Sequence, residues 1–220
     1  MPEAHEEEVE IRTDGVTLRG DLVVPPAARG IIAFAHGSGS GRLSPRNRQV
    51  AAGLHAGGFA TLLLDLLSER EARVDDVTRH LRFDVALLGR RLVSAISWLG
   101  EEGATVALPL GLYGASTGAA AALTAAAQAP GRVAAVVSRG GRPDLAGYAL
   151  AYVRAPTLLI VGERDTQVIV LNERAQRAMK ALSRLTIVPE AGHLFEEPGA
   201  LEAVVALTRN WFAKHLRAAA

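Results

Sequence analysis

From about residue 31 onward, short unbroken apolar runs alternate with longer segments whose apolar positions recur every three or four residues. The short runs suit strands buried on both faces, and the longer ones lay an apolar stripe along a helix. Their alternation predicts βα units feeding a parallel sheet. Strands are expected at Ile31–Ala35, Phe59–Leu64, Leu110–Tyr113, Val133–Val137, Thr157–Val161 and Leu185–Val188. Helices are expected over about 46–56, 81–99, 119–128, 168–182 and 199–216. The clearest helix carries Leu81, Val85, Leu88, Leu92, Ile96 and Leu99 on one stripe of about five turns.

The opening differs. Val9–Arg12 and Val16–Val24 flank Thr13-Asp14-Gly15, and Asp-Gly is a two-residue turn signal, so this part reads as a hairpin ended by Pro25 and Pro26. Two stretches read as rim loops: residues 66–76, and residues 140–155, where there is room for a short helix or a loop.

Gly114-Ala115-Ser116-Thr117-Gly118 interrupts the change from a strand-like run to an alanine-rich helix-like run. Only a sharp turn fits there, and the small residues at 114 and 118 let strand and helix approach closely around the serine. An exposed serine hydroxyl is a weak nucleophile until an oriented base activates it. Asp165, after the strand Thr157–Val161, and His193, after Leu185–Val188, supply the acid and the base. Sites in an open parallel sheet form beyond the carboxyl ends of the strands, where all three residues fall. Glu163 is the rival acid, because it lies closer to its strand end than Asp165 does.

The oxyanion formed on attack needs waiting donors. The backbone N–H of Thr117 is one, and the glycine-rich loop His36-Gly37-Ser38-Gly39-Ser40-Gly41 supplies the other, with Ser38 chosen and Gly37 beside it. His36 reads as a hydrogen-bonding partner of its own glycine loop rather than a second base. Leu67, on the rim loop after Asp65, is a candidate for shaping the substrate pocket. Arg139 and Arg142 follow the strand Val133–Ser138 and are candidates for a bidentate grip on a substrate carboxylate, against the alternative of solvent-exposed loop arginines.

Composition narrows the chemistry. With no cysteine among 220 residues, disulfides, thiolate catalysis and zinc-thiolate sites are excluded, and the nucleophile must be an oxygen. Lys and Arg total 24 against 23 acidic residues, which gives no field for collecting nucleic acid or anionic lipid. The remaining histidines, His5, His55, His80 and His215, show no ligand spacing, so no metal is expected. Apolar residues at 49% and charged residues at 21% fit one compact α/β domain over residues 1–220. No apolar run approaches the roughly 18 to 20 residues of a membrane span, and residues 1–8 do not read as a signal peptide, so the expected location is the cytoplasm. The expected partner is a small ester, and the sequence leaves a homodimer open.

Through His36-Gly37-Ser38-Gly39-Ser40, Leu64-Asp65-Leu66-Leu67, the serine turn, residues 138–144 and Ala191-Gly192-His193, the chain resembles the α/β-hydrolase superfamily. Within it, the resemblance is to the dienelactone hydrolase-like group. This implies an α/β-hydrolase fold with an eight-stranded, mostly parallel sheet, helices on both faces and no large lid domain. It also implies ester or lactone hydrolysis without a cofactor, with Ser116 as nucleophile, Asp165 as acid and His193 as base. The dienelactone hydrolases proper use cysteine where this chain has serine, which favours carboxylic esters or thioesters here.

Overall fold

The structure is a computed structural model and describes residues 4–216. Its eight strands are β1 (His5–Thr13), β2 (Val16–Val24), β3 (Ile31–Ala35), β4 (Ala60–Leu64), β5 (Leu110–Ala115), β6 (Val133–Arg139), β7 (Thr157–Gly162) and β8 (Ser183–Val188). They form one sheet in the order β1-β2-β4-β3-β5-β6-β7-β8. Only β2 runs against the others: it pairs antiparallel with both β1 and β4, while every pair from β4 to β8 is parallel. The β1–β2 turn works because Asp14 and Gly15 both take positive φ, 46° and 75°, the geometry that matches hairpin twist.

Six α-helices cover the faces among the described residues: α1 (Pro45–His55), α2 (Glu69–Thr78), α3 (Val85–Leu99), α4 (Thr117–Gln128), α5 (Thr166–Ala178) and α6 (Ala200–His215). The sheet divides the apolar interior into two cores. On one side Leu88, Leu92 and Ile96 of α3 meet the alanines of α4; on the other Val50 and Leu54 of α1 meet Val204 and Phe212 of α6. The stretch Ala119–Ala122 is fully buried, and small residues let its helix close on its neighbour. A Cβ on Gly89 of α3 would lie 2.9 Å from Thr124 Cγ2 of α4.

Three expectations need correction. The rim stretch 66–76, expected as a loop, contains α2. Its start carries a capping box in which the Ser68 hydroxyl accepts from Glu71 N–H while the Glu71 carboxylate accepts from Ser68 N–H. The helix is polar nearly all round, and of its residues only Asp75 is buried, so no hydrophobic stripe announces it. The long helix begins at Val85, not Leu81, because Asp84 caps it by accepting from Leu87 N–H, and Leu81–Phe83 forms a separate 3₁₀ turn. At the other end of the chain, α5 stops at Ala178. Thr157 N–H donates to the Leu182 carbonyl and pairs with Ser183, so the last residue expected in that helix is tied to the edge of the sheet instead. Residues 143–152 are a kinked run of 3₁₀ turns, in keeping with the short helix or loop expected there.

Candidate active site

The serine turn is tight for measurable reasons. Ser116 sits at φ 50° and ψ −121°, a strained conformation for a residue with a side chain, between β5 and α4. A Cβ on Gly114 would lie 2.5 Å from Ala119 Cα, and one on Gly118 would lie 2.2 Å from the Ala35 carbonyl oxygen. Neither position has room for more than glycine. The turn is fastened to the next strand connection, since Ser116 N–H donates to the Arg139 carbonyl (3.1 Å) and Arg142 N–H donates to the Ser116 carbonyl (3.0 Å).

Asp165 is the N-cap residue of α5, and His193 lies in the loop after β8. His193 Nδ1 is 2.6 Å from Asp165 Oδ2. With Nδ1 engaged by the carboxylate, Nε2 is the ring nitrogen left for other chemistry. The imidazole packs on the connection that holds the serine turn: a Cβ on Gly140 would lie 3.6 Å from His193 Cε1, and Gly140 adjoins Arg139. Its loop is braced by Gly192 N–H donating to Glu197 Oε1 (2.9 Å) and by Arg164 N–H donating to the Ala191 carbonyl (2.9 Å). Backbone hydrogen bonds to the Glu197 carboxylate, with help from the Arg164 charge, hold its carboxyl below the usual range. Glu163, the rival acid, is exposed and accepts from Glu190 N–H instead of facing the imidazole.

Thr117 is the first residue of α4, so its N–H has no intrahelical acceptor. The loop carrying Ser38 comes in from the other side, and a Cβ on Gly37 would lie 3.1 Å from Ser116 Cβ. Beside this loop is a cavity of about 250 Å³ lined by Gly37, Ser38, Leu67, Ala72, Asp75 and Arg82, among others. The sequence picks Gly37, Ser38 and Leu67 therefore share one wall system. The part sequence reasoning missed is α2 with the turn after it, which supplies Ala72, Asp75 and Arg82. The Ser68–Glu71 capping spacing was the signal that could have found it. Asp75 is buried and paired to Arg82 (Nε to Oδ2, 2.6 Å). Burial works against its charge, but the hydrogen bonds and charge of Arg82 outweigh that and hold the carboxyl below its ordinary range. A larger cavity, about 510 Å³ and lined by Leu99, Thr105, Pro109 and Arg132, opens at the amino ends of β3, β5 and β6, away from Ser116.

Arg139 and Arg142 do not make a fork at the rim. Arg139 is the last residue of β6, and strand alternation turns its side chain to the Tyr113 face, where it is 7% exposed. Its Nη2 lies 3.5 Å from Asn47 Oδ1, and its guanidinium sits 5.8 Å from the centre of the Phe195 ring. Arg142 is already held in a bidentate pair by Asp144, at 2.9 and 2.8 Å. One is shut inside and the other is occupied.

A strained serine between a strand and a helix, beside a glycine loop and an Asp-bound histidine at the carboxyl ends of a mostly parallel sheet, defines an α/β-hydrolase. The sequence profile of the dienelactone hydrolase family matches residues 19–215, and the chain belongs to that family. The crystal structure of a dienelactone hydrolase from Anabaena variabilis superposes with a TM-score of 0.95 at 55% identity, covering 97% of this chain and 99% of that one. Est1E from Butyrivibrio proteoclasticus has the same fold (TM-score 0.78, 14% identity, 94% and 98% covered). A Mycobacterium tuberculosis protein (strain H37Rv), provisionally named a phosphoribosyl transferase, is 54% identical over 215 residues, which is 98% of this chain. The chain spans about half, 48%, of that relative's length. No helix among the described residues is long and apolar enough to cross a membrane.

Proposed function

We propose that the protein is a serine carboxylesterase acting on small esters through an acyl-enzyme. The observation that carries this reading is the 2.6 Å contact between His193 Nδ1 and Asp165 Oδ2 on the connection that also holds the Ser116 turn. In the proposed reaction His193 Nε2 takes the Ser116 hydroxyl proton as Oγ bonds to the acyl carbon. Asp165 fixes the tautomer and stabilises the imidazolium. The carbonyl oxygen becomes an oxyanion received by the N–H groups of Ser38 and Thr117. His193 then returns its proton to the leaving alkoxide, leaving an acyl-Ser116 ester. Water, deprotonated by the same nitrogen, releases the acid and restores the serine.

The cavity beside Ser38 and Leu67 suits a short chain: about 250 Å³ is below the usual range of roughly 300 to 1,000 Å³ for pockets holding drug-sized ligands. Short acyl esters such as p-nitrophenyl acetate or butyrate are therefore expected to turn over faster than palmitate, and faster palmitate turnover would defeat the pocket assignment. A fluorophosphonate probe tests the nucleophile directly. Labelling at Ser116 in the folded protein, lost in Ser116→Ala, is expected; an unlabelled serine would point to a binding module that uses the fold without the chemistry.

A lactone is the second candidate substrate, because the Anabaena variabilis relative at 55% identity carries the name dienelactone hydrolase. Ring opening would use the same serine and the same donors. A thioester remains within reach of the same chemistry, and a panel of esters, lactones and thioesters ranks them by kcat/KM. The phosphoribosyl transferase name belongs to a protein about twice as long, and the hydrolase reading concerns the half that this chain matches.

A further inference from the structure

The trans peptide is a rigid plane, so fixing the direction of one carbonyl fixes the N–H of the next residue in the opposite direction. The Gly37 carbonyl is held by two donors, His36 Nδ1 at 3.0 Å and Ser40 N–H at 3.2 Å. The N–H across that same peptide is the one belonging to Ser38. His36 has a second contact: its Nε2 accepts from Leu66 N–H at 3.0 Å. A nitrogen that accepts carries no proton, so the ring proton is on Nδ1, where it is needed to donate to Gly37. Burial of the ring favours this neutral form and holds its pKa below the ordinary 6.5. The loop is tied to the same neighbour further on, where Arg42 N–H donates to Asp65 Oδ1 (2.7 Å).

We infer that His36 is a positioning residue for the oxyanion hole: its neutral imidazole bridges Leu66 N–H and the Gly37 carbonyl, and so aims the Ser38 N–H at the acyl oxygen above Ser116. This rests on the esterase reading of Ser116 and goes beyond it, by giving the donor an identifiable source of alignment. It also joins two functions of one loop. Leu66 precedes Leu67, which lines the cavity, so the wall that receives the substrate and the donor that receives the negative charge share one imidazole.

Asparagine and glutamine separate the two contacts. Asparagine places an amide N–H near the position of Nδ1 and falls short of Leu66; glutamine places a carbonyl near the position of Nε2 and leaves Gly37 unserved. On p-nitrophenyl butyrate, His36→Gln is expected to lose about a hundredfold in kcat and His36→Asn less than about tenfold, with KM moving less than about twofold in both. Both variants are expected to melt at similarly lowered temperatures. Equal kcat losses in the two variants, or losses that follow the melting temperatures, would overturn the inference. Nitrogen NMR of the wild-type imidazole gives a check that needs no variant to fold: His36 is expected to carry its proton on Nδ1 with Nε2 bare at neutral pH, and a proton on Nε2 would also overturn it. A wild-type protein inert toward every ester would remove the functional reading and this inference together, whereas an active wild type with indistinguishable variants would remove this inference alone.

Discussion

Asp165 Oδ2 lies 2.6 Å from His193 Nδ1, which joins the first turn of α5 to the loop after β8. A carboxylate can only accept at this distance, so it selects the imidazole tautomer whose Nε2 is free to act as a base. Asp165→Asn keeps the shape but can donate, which favours the wrong tautomer. The expected outcome is a fall in kcat of about 10⁴ with a folded protein, read by steady-state kinetics and circular dichroism. A loss under tenfold would mean that Asp165 does not orient the base.

Ser116 is held at a positive φ that glycine adopts without penalty. Ser116→Gly is therefore expected to be inactive yet more stable than the wild type by about 1 kcal/mol, measured by denaturant unfolding. Destabilisation would show that the turn is unstrained, or that the serine side chain stabilises it.

Gly118 faces the backbone of β3, where an added Cβ would stand 2.2 Å from the Ala35 oxygen and 2.4 Å from the His36 oxygen. Backbone cannot swing aside as a side-chain end can. Gly118→Ala is expected to cost about 3 kcal/mol or more and to displace the glycine-rich loop, so that any folded fraction also loses esterase turnover. Unchanged melting and turnover together would contradict this packing.

Acidification is expected to destabilise the protein before its carboxylates matter. Burial holds the pKa values of His36 and His55 below 6.5, against the smaller opposing effects of the Gly37 hydrogen bond and the Asp65 charge on the first and the Glu6 charge on the second. Above 6.5 both rings are neutral whether folded or not and contribute nothing to the pH dependence. Below it the unfolded chain binds protons that the folded chain resists, so stability falls with pH. Asp75 is displaced downward as well, by its pairing with Arg82 and not by burial, so its contribution persists until pH drops below its ordinary 3.8. Melting temperature is expected to be flat from about pH 8 to 7 and to fall toward pH 5, with a shallower fall in His36→Asn. A flat profile over the whole interval would show that neither ring is held neutral.

Helix α2 is fixed by charge pairs more than by apolar contact: Asp75 with Arg82 after its end, and Glu71 with Arg91 of α3 (2.9 Å). Asp75→Asn leaves Arg82 without its buried partner. A loss of about 3 kcal/mol is expected, felt first as faster amide exchange in α2 and only weakly in β3 to β7. Uniform exchange changes would mean that α2 is part of the main cooperative unit.

The strands β3, β4, β5 and β7 were legible because burial on both faces leaves no charged position in them, and Asp14-Gly15 announced the hairpin. Ser116, Asp165 and His193 were legible because each follows a strand, and carboxyl ends of strands converge in such a sheet. Helix α2 was hidden because a helix tied down by ion pairs has no apolar period to read. Arg139 was misplaced for a different reason. Position relative to a strand end says how near a residue is to the rim, but the alternation of the final residue decides which way it points, and that parity sends Arg139 inward against Asn47 and Phe195.

Because α2 contributes no apolar anchor to either core, its residues other than Asp75 and Glu71 can change character without asking the scaffold to rearrange. The wall of the cavity beside Ser38 can thus drift, by natural variation or by design, through positions on which the rest of the fold does not lean.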